Sequence, residues 1–180
     1  MLKANFRNYL SGATTAEALD AFDGLDPIPT EFMFGRWFGW EVEANEGHPM
    51  SGILDAMGWY GKEFISENEV QPLLVARPSG NTYPIVPYPW ILKLSMALPM
   101  VKWPAMKPLN RGVTNLLHTR STQARLRMVE FRGKTSATMI YDNVPIHDHF
   151  RFVDDKTVLG LMDFKLAEQP YFFMLQRETA

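Results

Sequence analysis

The chain has 180 residues, enough for one domain with a sizeable core, and carries 18 basic against 20 acidic residues for a net charge of −2. That balance gives no electrostatic case for nucleic acid or an anionic membrane surface, and no nucleic-acid-binding motif is present. Zero cysteines exclude disulfides and thiolate chemistry. Together with an N-terminal MLKANFRNYLSG that lacks a signal-type apolar run, they predict a cytoplasmic protein.

Residues 14–25 predict a helix. Thr14 and Glu17 have capping-box spacing, and Ala18, Leu19, Phe22 and Leu25 recur at 3- and 4-residue steps. Residues 31–44 (EFMFGRWFGWEVEA) predict a strand rich in Trp and Phe. Gly35 and Gly39 inside it signal a bend or the close approach of another segment. A bent first strand carrying Trp37 suits a small closed barrel, with Trp37 buried at its closed end.

Residues 48–59 predict a helix from Met50, Ile53, Leu54 and Met57, with Pro49 at its start and Gly58 at its end. His48 reads as a helix-start residue. Tyr60 and Lys62 read as structural or solvated, without a catalytic task. Residues 70–77 predict a strand. TYPIVPYPW over 82–90, with three prolines, predicts an edge or an extended loop. The apolar run 91–101 is too short for a membrane span and is broken by Lys93 and Pro99. It predicts a buried helix or a flap over a pocket, and Tyr88–Pro108 as a whole predicts a mobile cover. A short helix is expected within 111–120.

From Thr122 the pattern changes to five short strands separated by tight turns, an antiparallel meander over 125–177. With the earlier strands this gives eight or more. The fold expected is mainly β: one lipocalin-like (calycin-like) antiparallel β-barrel over residues 1–180 with a few short helices.

The polar residues concentrate in SATMIYDNVPIHDHFRFVD, residues 136–154. Tyr141, Asp142, His147, Asp148 and His149 are the candidates for proton transfer. On a strand His147 and His149 share one face and Asp148 takes the other. The expectation is that the histidine pair faces a ligand and Asp148 points away. The structural alternative pairs Asp148 with Arg151 or Arg127. Ligand contact is assigned to Trp37, Trp40, Trp59, Phe131 and Met139, with His48 and Tyr60 beside them.

Phe32–Phe64, with GRWFG, GHP and GWYGKEF, resembles the bacterial GXWXG domain. Arg125–Lys165, with RLRMVEFRGKTSATMIYDNVPIHDHFRFVDDKTVLGLMDFK, resembles the domain of unknown function 4334 that accompanies it. The resemblance implies no activity. Its G-x-W near the start of a barrel is also similar to lipocalins, fatty-acid-binding proteins and nitrobindin-type haem proteins, an analogy of fold.

Three readings stay open. The preferred one is a barrel that binds a small hydrophobic or amphipathic molecule, with no nucleic-acid partner and no transmembrane segment; a homodimer is left open. The second is an acid–base enzyme, an isomerase, hydratase or lyase, using the same cavity. The third is an interaction module filled by its own side chains. Haem on one axial histidine is an unfavoured alternative. So is a metal on His147, His149 and one of Asp154, Asp142 or His48, because no standard metal spacing is present.

Overall fold

The computed structural model describes residues 10–179 apart from positions 11 and 46. Among the described residues nine strands form one antiparallel sheet: β1 (Gly35–Glu41), β2 (Trp59–Phe64), β3 (Val70–Ala76), β4 (Thr82–Pro84), β5 (Ala124–Phe131), β6 (Lys134–Tyr141), β7 (Ile146–Asp154), β8 (Thr157–Phe164) and β9 (Tyr171–Arg177). The order is β2-β1-β9-β8-β7-β6-β5-β3-β4, and a further β2–β3 pairing closes eight of them into a barrel. Around the barrel each strand pairs with the next in sequence, skipping β4, which extends the end of β3. Closure removes the free edges that an open sheet would expose. The short, proline-bearing β4 is the edge that its sequence predicts.

Among the described residues four helices accompany the barrel: α1 (Thr15–Gly24), α2 (Ile53–Met57), α3 (Pro89–Ala97) and α4 (Lys107–Leu116). The α1 start forms the expected capping box between Thr14 and Glu17. The predicted strand over 31–44 is shorter than expected, because a 3-10 turn over Thr30–Met33 precedes it. The helix expected over 48–59 is confined to five residues, bounded by Gly52 and Gly58 at positive φ. None of these helices is long and apolar enough to cross a membrane.

Apolar side chains pack on both faces of the sheet. Inside, Trp37, Phe64, Met139, Phe150, Val158 and Leu175 form the barrel core. Outside, Ala18 and Phe22 of α1 pack on Leu159, Leu161, Phe172 and Met174. This is why β8 and β9 read as nearly continuous apolar runs: both of their faces are covered. Trp37 is fully buried as expected, and its indole N–H donates to the Met33 carbonyl at 2.7 Å. The Arg177 guanidinium lies 4.3 Å from the Trp37 ring centroid and donates to the Phe32 and Phe34 carbonyls. The aromatic face offsets part of the cost of taking that charge out of water.

The β5–β6 hairpin turns through Arg132 and Gly133, both at positive φ. A non-glycine residue there is disfavoured. Arg132 makes two bonds to the Asp23 carboxylate, at 2.7 and 2.5 Å, which tie the hairpin to α1.

Candidate functional site

The barrel holds a cavity of about 70 Å³. Its walls are almost wholly apolar: Met50, Ile53, Leu54 and Met57 from the α2 region, Ile91 and Leu92 from α3, and Met162 and Phe173 from the barrel. A wider space of about 300 Å³ lies between α3 and α4, and shares Met57, Ile91, Ser95 and Leu117 with the first. Ile91 and Ser95, four apart on one helical face, therefore stand between the two spaces. The segment expected to cover a pocket does stand over one, with α3 at its centre.

Two glycines create the room. At Gly39 a Cβ would sit 2.3 Å from the Trp59 ring, and at Gly160 one would sit 2.3 Å from the Phe173 ring. Both rings lie flat against neighbouring strands because those positions lack side chains. The Trp59 indole N–H also donates to the Gly61 carbonyl at 2.9 Å, which fixes its plane at the cavity wall.

The polar part of the cavity is a buried ion pair. Lys62 Nζ lies 2.9 Å from Asp148 Oδ2, with the two side chains 3% and 1% exposed. The same ammonium donates to the Pro72 carbonyl at 3.1 Å and to the Tyr141 hydroxyl at 3.3 Å. It lies 5.0 Å from the Phe173 ring centroid. Burial pushes the Asp148 carboxyl up and the Lys62 ammonium down, while their mutual attraction opposes both shifts. Burial also raises the Tyr141 hydroxyl well above the ordinary range, so it stays protonated. Asp148 Oδ1 has no hydrogen-bond partner among the described residues.

Of the residues singled out from sequence, Trp59, Tyr141 and Asp148 line this cavity. His147 and His149 share a face as expected, but it is the outer one, and Asp148 points in. The neighbours decide this: Ile146 and Phe150, two residues either side of Asp148, belong to the barrel core. Asp148 pairs with Lys62, not with an arginine. Asp142 is at the surface, bonded to Arg125 at 2.6 and 3.0 Å.

Trp37 and Met139 are inside the barrel but away from the cavity lining. Trp40 and Phe131 lie outside, against the α1 cluster. Tyr60 also lies outside, with the Arg36 guanidinium 5.1 Å from its ring centroid. His48 is buried, accepting from the Met50 amide at Nδ1 and facing the Gln169 carbonyl with Nε2. Nδ1 serves the local turn, and Nε2 ties that turn to the loop before β9.

His149 stacks on Phe131, with centroids 3.8 Å apart and planes within 2°. Burial, with repulsion from His147 and Arg151, pushes its imidazole down to about 4. Lys62, Tyr171 and Phe173 line the cavity and were not anticipated. Burial, with the Glu41 carboxylate nearby, holds the Tyr171 hydroxyl well above its ordinary range.

Residues 20–80 match the model of the GXWXG protein family, and residues 122–177 match the domain of unknown function DUF4334. The crystal structure of a protein from Thermomonospora curvata is similar over 98% of this chain and 95% of that one, at 33% sequence identity and a TM-score of 0.71. No curated protein matches the chain.

Proposed function

The chain belongs to the family that joins a GXWXG segment to a DUF4334 segment, and we propose that its barrel binds one small amphipathic molecule. The observation that carries the reading is Asp148 Oδ1, a buried oxygen without a hydrogen-bond partner among the described residues, in a cavity that is otherwise apolar. Leaving a buried acceptor unpaired costs roughly 1–3 kcal/mol. A ligand hydroxyl or amine donating to Oδ1 recovers that cost. The apolar remainder of the ligand extends past Ile91 and Ser95 into the wider space beneath α3 and α4. Taken together, the two adjoining spaces of about 70 and 300 Å³ fall at the lower end of ordinary ligand pockets, roughly 300–1,000 Å³.

The test is mass spectrometry of small molecules extracted from the purified protein, beside the same extraction from Asp148→Leu and from the charge-free double variant Lys62→Met/Asp148→Leu. A single amphipathic species held by the parent and lost from both variants is expected. Equal retention by all three proteins overturns the reading.

A second reading is favoured by a specific contact: Lys62 bridges the Asp148 carboxylate and the Tyr141 hydroxyl on one dry wall. That arrangement supplies a proton acceptor and a proton donor a few ångströms apart, as isomerisation or elimination needs. In this case Asp148→Asn keeps binding and loses roughly 10²–10⁴-fold in turnover. Unchanged turnover in that variant removes the enzymatic reading and leaves binding intact.

A further inference from the structure

The two histidines that leave the cavity meet a carboxylate on the outside of the barrel. His147 stands directly opposite Asp163 in the β7–β8 register, and His149 follows two residues on along the same face. Ligand atoms from all three lie within 4.8 Å of one another. Donors on a tetrahedral ion with bonds near 2.0–2.1 Å stand roughly 3.3 Å apart. The difference is within reach of side-chain rotation, because His147 and Asp163 are exposed.

The inner member is fixed. Thr138 gives its hydroxyl proton to the Ser136 carbonyl at 3.2 Å, so its oxygen accepts from Nδ1–H of His149 at 2.9 Å. That leaves Nε2 of His149 with a lone pair and no proton. Nε2 is buried and has no hydrogen-bond partner among the described residues. The stack on Phe131 holds the ring plane. A metal-ligating imidazole has this arrangement: one nitrogen bonded to a protein acceptor, the other free for the ion. Arg151, next on the same face, directs its guanidinium to the Phe131 and Phe150 carbonyls and over the Phe22 ring.

We propose that His147, His149 and Asp163 bind one divalent ion of the zinc class on the outer face of β7 and β8. Two imidazole nitrogens and one carboxylate suit zinc, cobalt or nickel, and leave a coordination position open to water. The site is separate from the cavity, since Asp148 lies between the two histidines and points the other way.

The experiment is calorimetric titration of the untagged, metal-free full chain with zinc chloride, repeated on His147→Ala, Asp163→Asn, Thr138→Val and His118→Ala. The expected result is one equivalent bound. The two ligand variants weaken binding by more than the roughly 10–100-fold that changes around a ligand cost, and Thr138→Val falls within that range. His118→Ala, which alters an imidazole elsewhere, binds as the parent does. Absence of saturable binding overturns the proposal. So does binding that survives both His147→Ala and Asp163→Asn, or that disappears in His118→Ala. Because both ligand variants change exposed side chains, melting curves of the metal-free proteins should superimpose on the parent and keep the comparison valid. An unchanged affinity in Thr138→Val overturns the positioning role of the threonine.

Discussion

The Lys62 ammonium and the Asp148 carboxylate meet 2.9 Å apart inside the barrel, on strands β2 and β7, and neither side chain reaches solvent appreciably. Removing one partner of such a pair strands a buried charge and costs roughly 3–5 kcal/mol. Lys62→Met and Asp148→Leu should each lose stability on that scale in urea unfolding. The double variant should lose much less than the sum, because no uncompensated charge remains. Singles with unchanged midpoints would mean that the pair is not buried as described.

Trp37 is buried in the barrel core, bonded to Met33 and covered by Arg177. Trp37→Ala should cost roughly 3–5 kcal/mol, as large-to-small core changes do. Trp37→Phe keeps most of the volume and a face for Arg177, so it should retain most of that stability. A thermal melt of both variants decides the matter; equal melting temperatures for parent and Trp37→Ala would contradict the placement.

Gly39 lies under the Trp59 ring, where a Cβ would stand 2.3 Å away. In Gly39→Ala the indole must swing off the strand and into the cavity. The expected cost is roughly 1–3 kcal/mol of overpacking, together with a shift in Trp59 fluorescence and loss of any co-purifying molecule. A Gly39→Ala protein with parental stability and fluorescence would show that the ring does not rest there.

No side chain of α3 is fully buried among the described residues, although Ile91 and Leu92 face the cavity. A helix with so few buried contacts belongs to the low-stability end of a fold. The amides of 92–98 should therefore exchange quickly in the empty protein and more slowly once the cavity is filled. Strong and equal protection in both states would argue against a cover that opens.

His48 is buried with its proton on Nε2, since Nδ1 accepts from the Met50 amide. Burial, the largest cause, holds its pKa below the ordinary 6.5. The unfolded chain then takes up this proton more readily than the folded one. Its contribution to stability is therefore complete above about pH 6.5 and is lost as pH falls toward the folded value. His48→Asn keeps an acceptor near the Met50 amide but does not titrate. The stability difference between about pH 7.5 and 5.5 should be smaller in that variant than in the parent; an identical difference would place the titration elsewhere.

Much of the architecture was legible because it is local. Thr14 and Glu17 mark the start of α1 within four residues, and the prolines of 82–90 exclude a central strand. The alternation in TQARLRMVEF, followed by Gly133, announces the β5–β6 hairpin. The near-sequential pairing of the strands then makes an up-and-down barrel the natural closure.

The site was only half legible. Sequence parity shows that His147 and His149 share a face opposite Asp148, and the structure keeps that relation. It does not show which face is inside, because α1 covers the outer face of the neighbouring strands with apolar side chains and blurs the contrast. Lys62 was hidden for a different reason. Trp59 and Lys62 are three apart, so a regular strand would send them to opposite faces. The register shifts on either side of Gly61, and its φ of 156°, let both reach the same cavity.

Strand-forming composition, turn chemistry and the helix cap are properties of neighbouring residues, and the amino-acid sequence alone determined them. The pairing of Lys62 with Asp148, and of Asp163 with the two histidines, depends on strands up to 86 positions apart coming into register. Burial and barrel closure set those partners, and only the tertiary structure decides them.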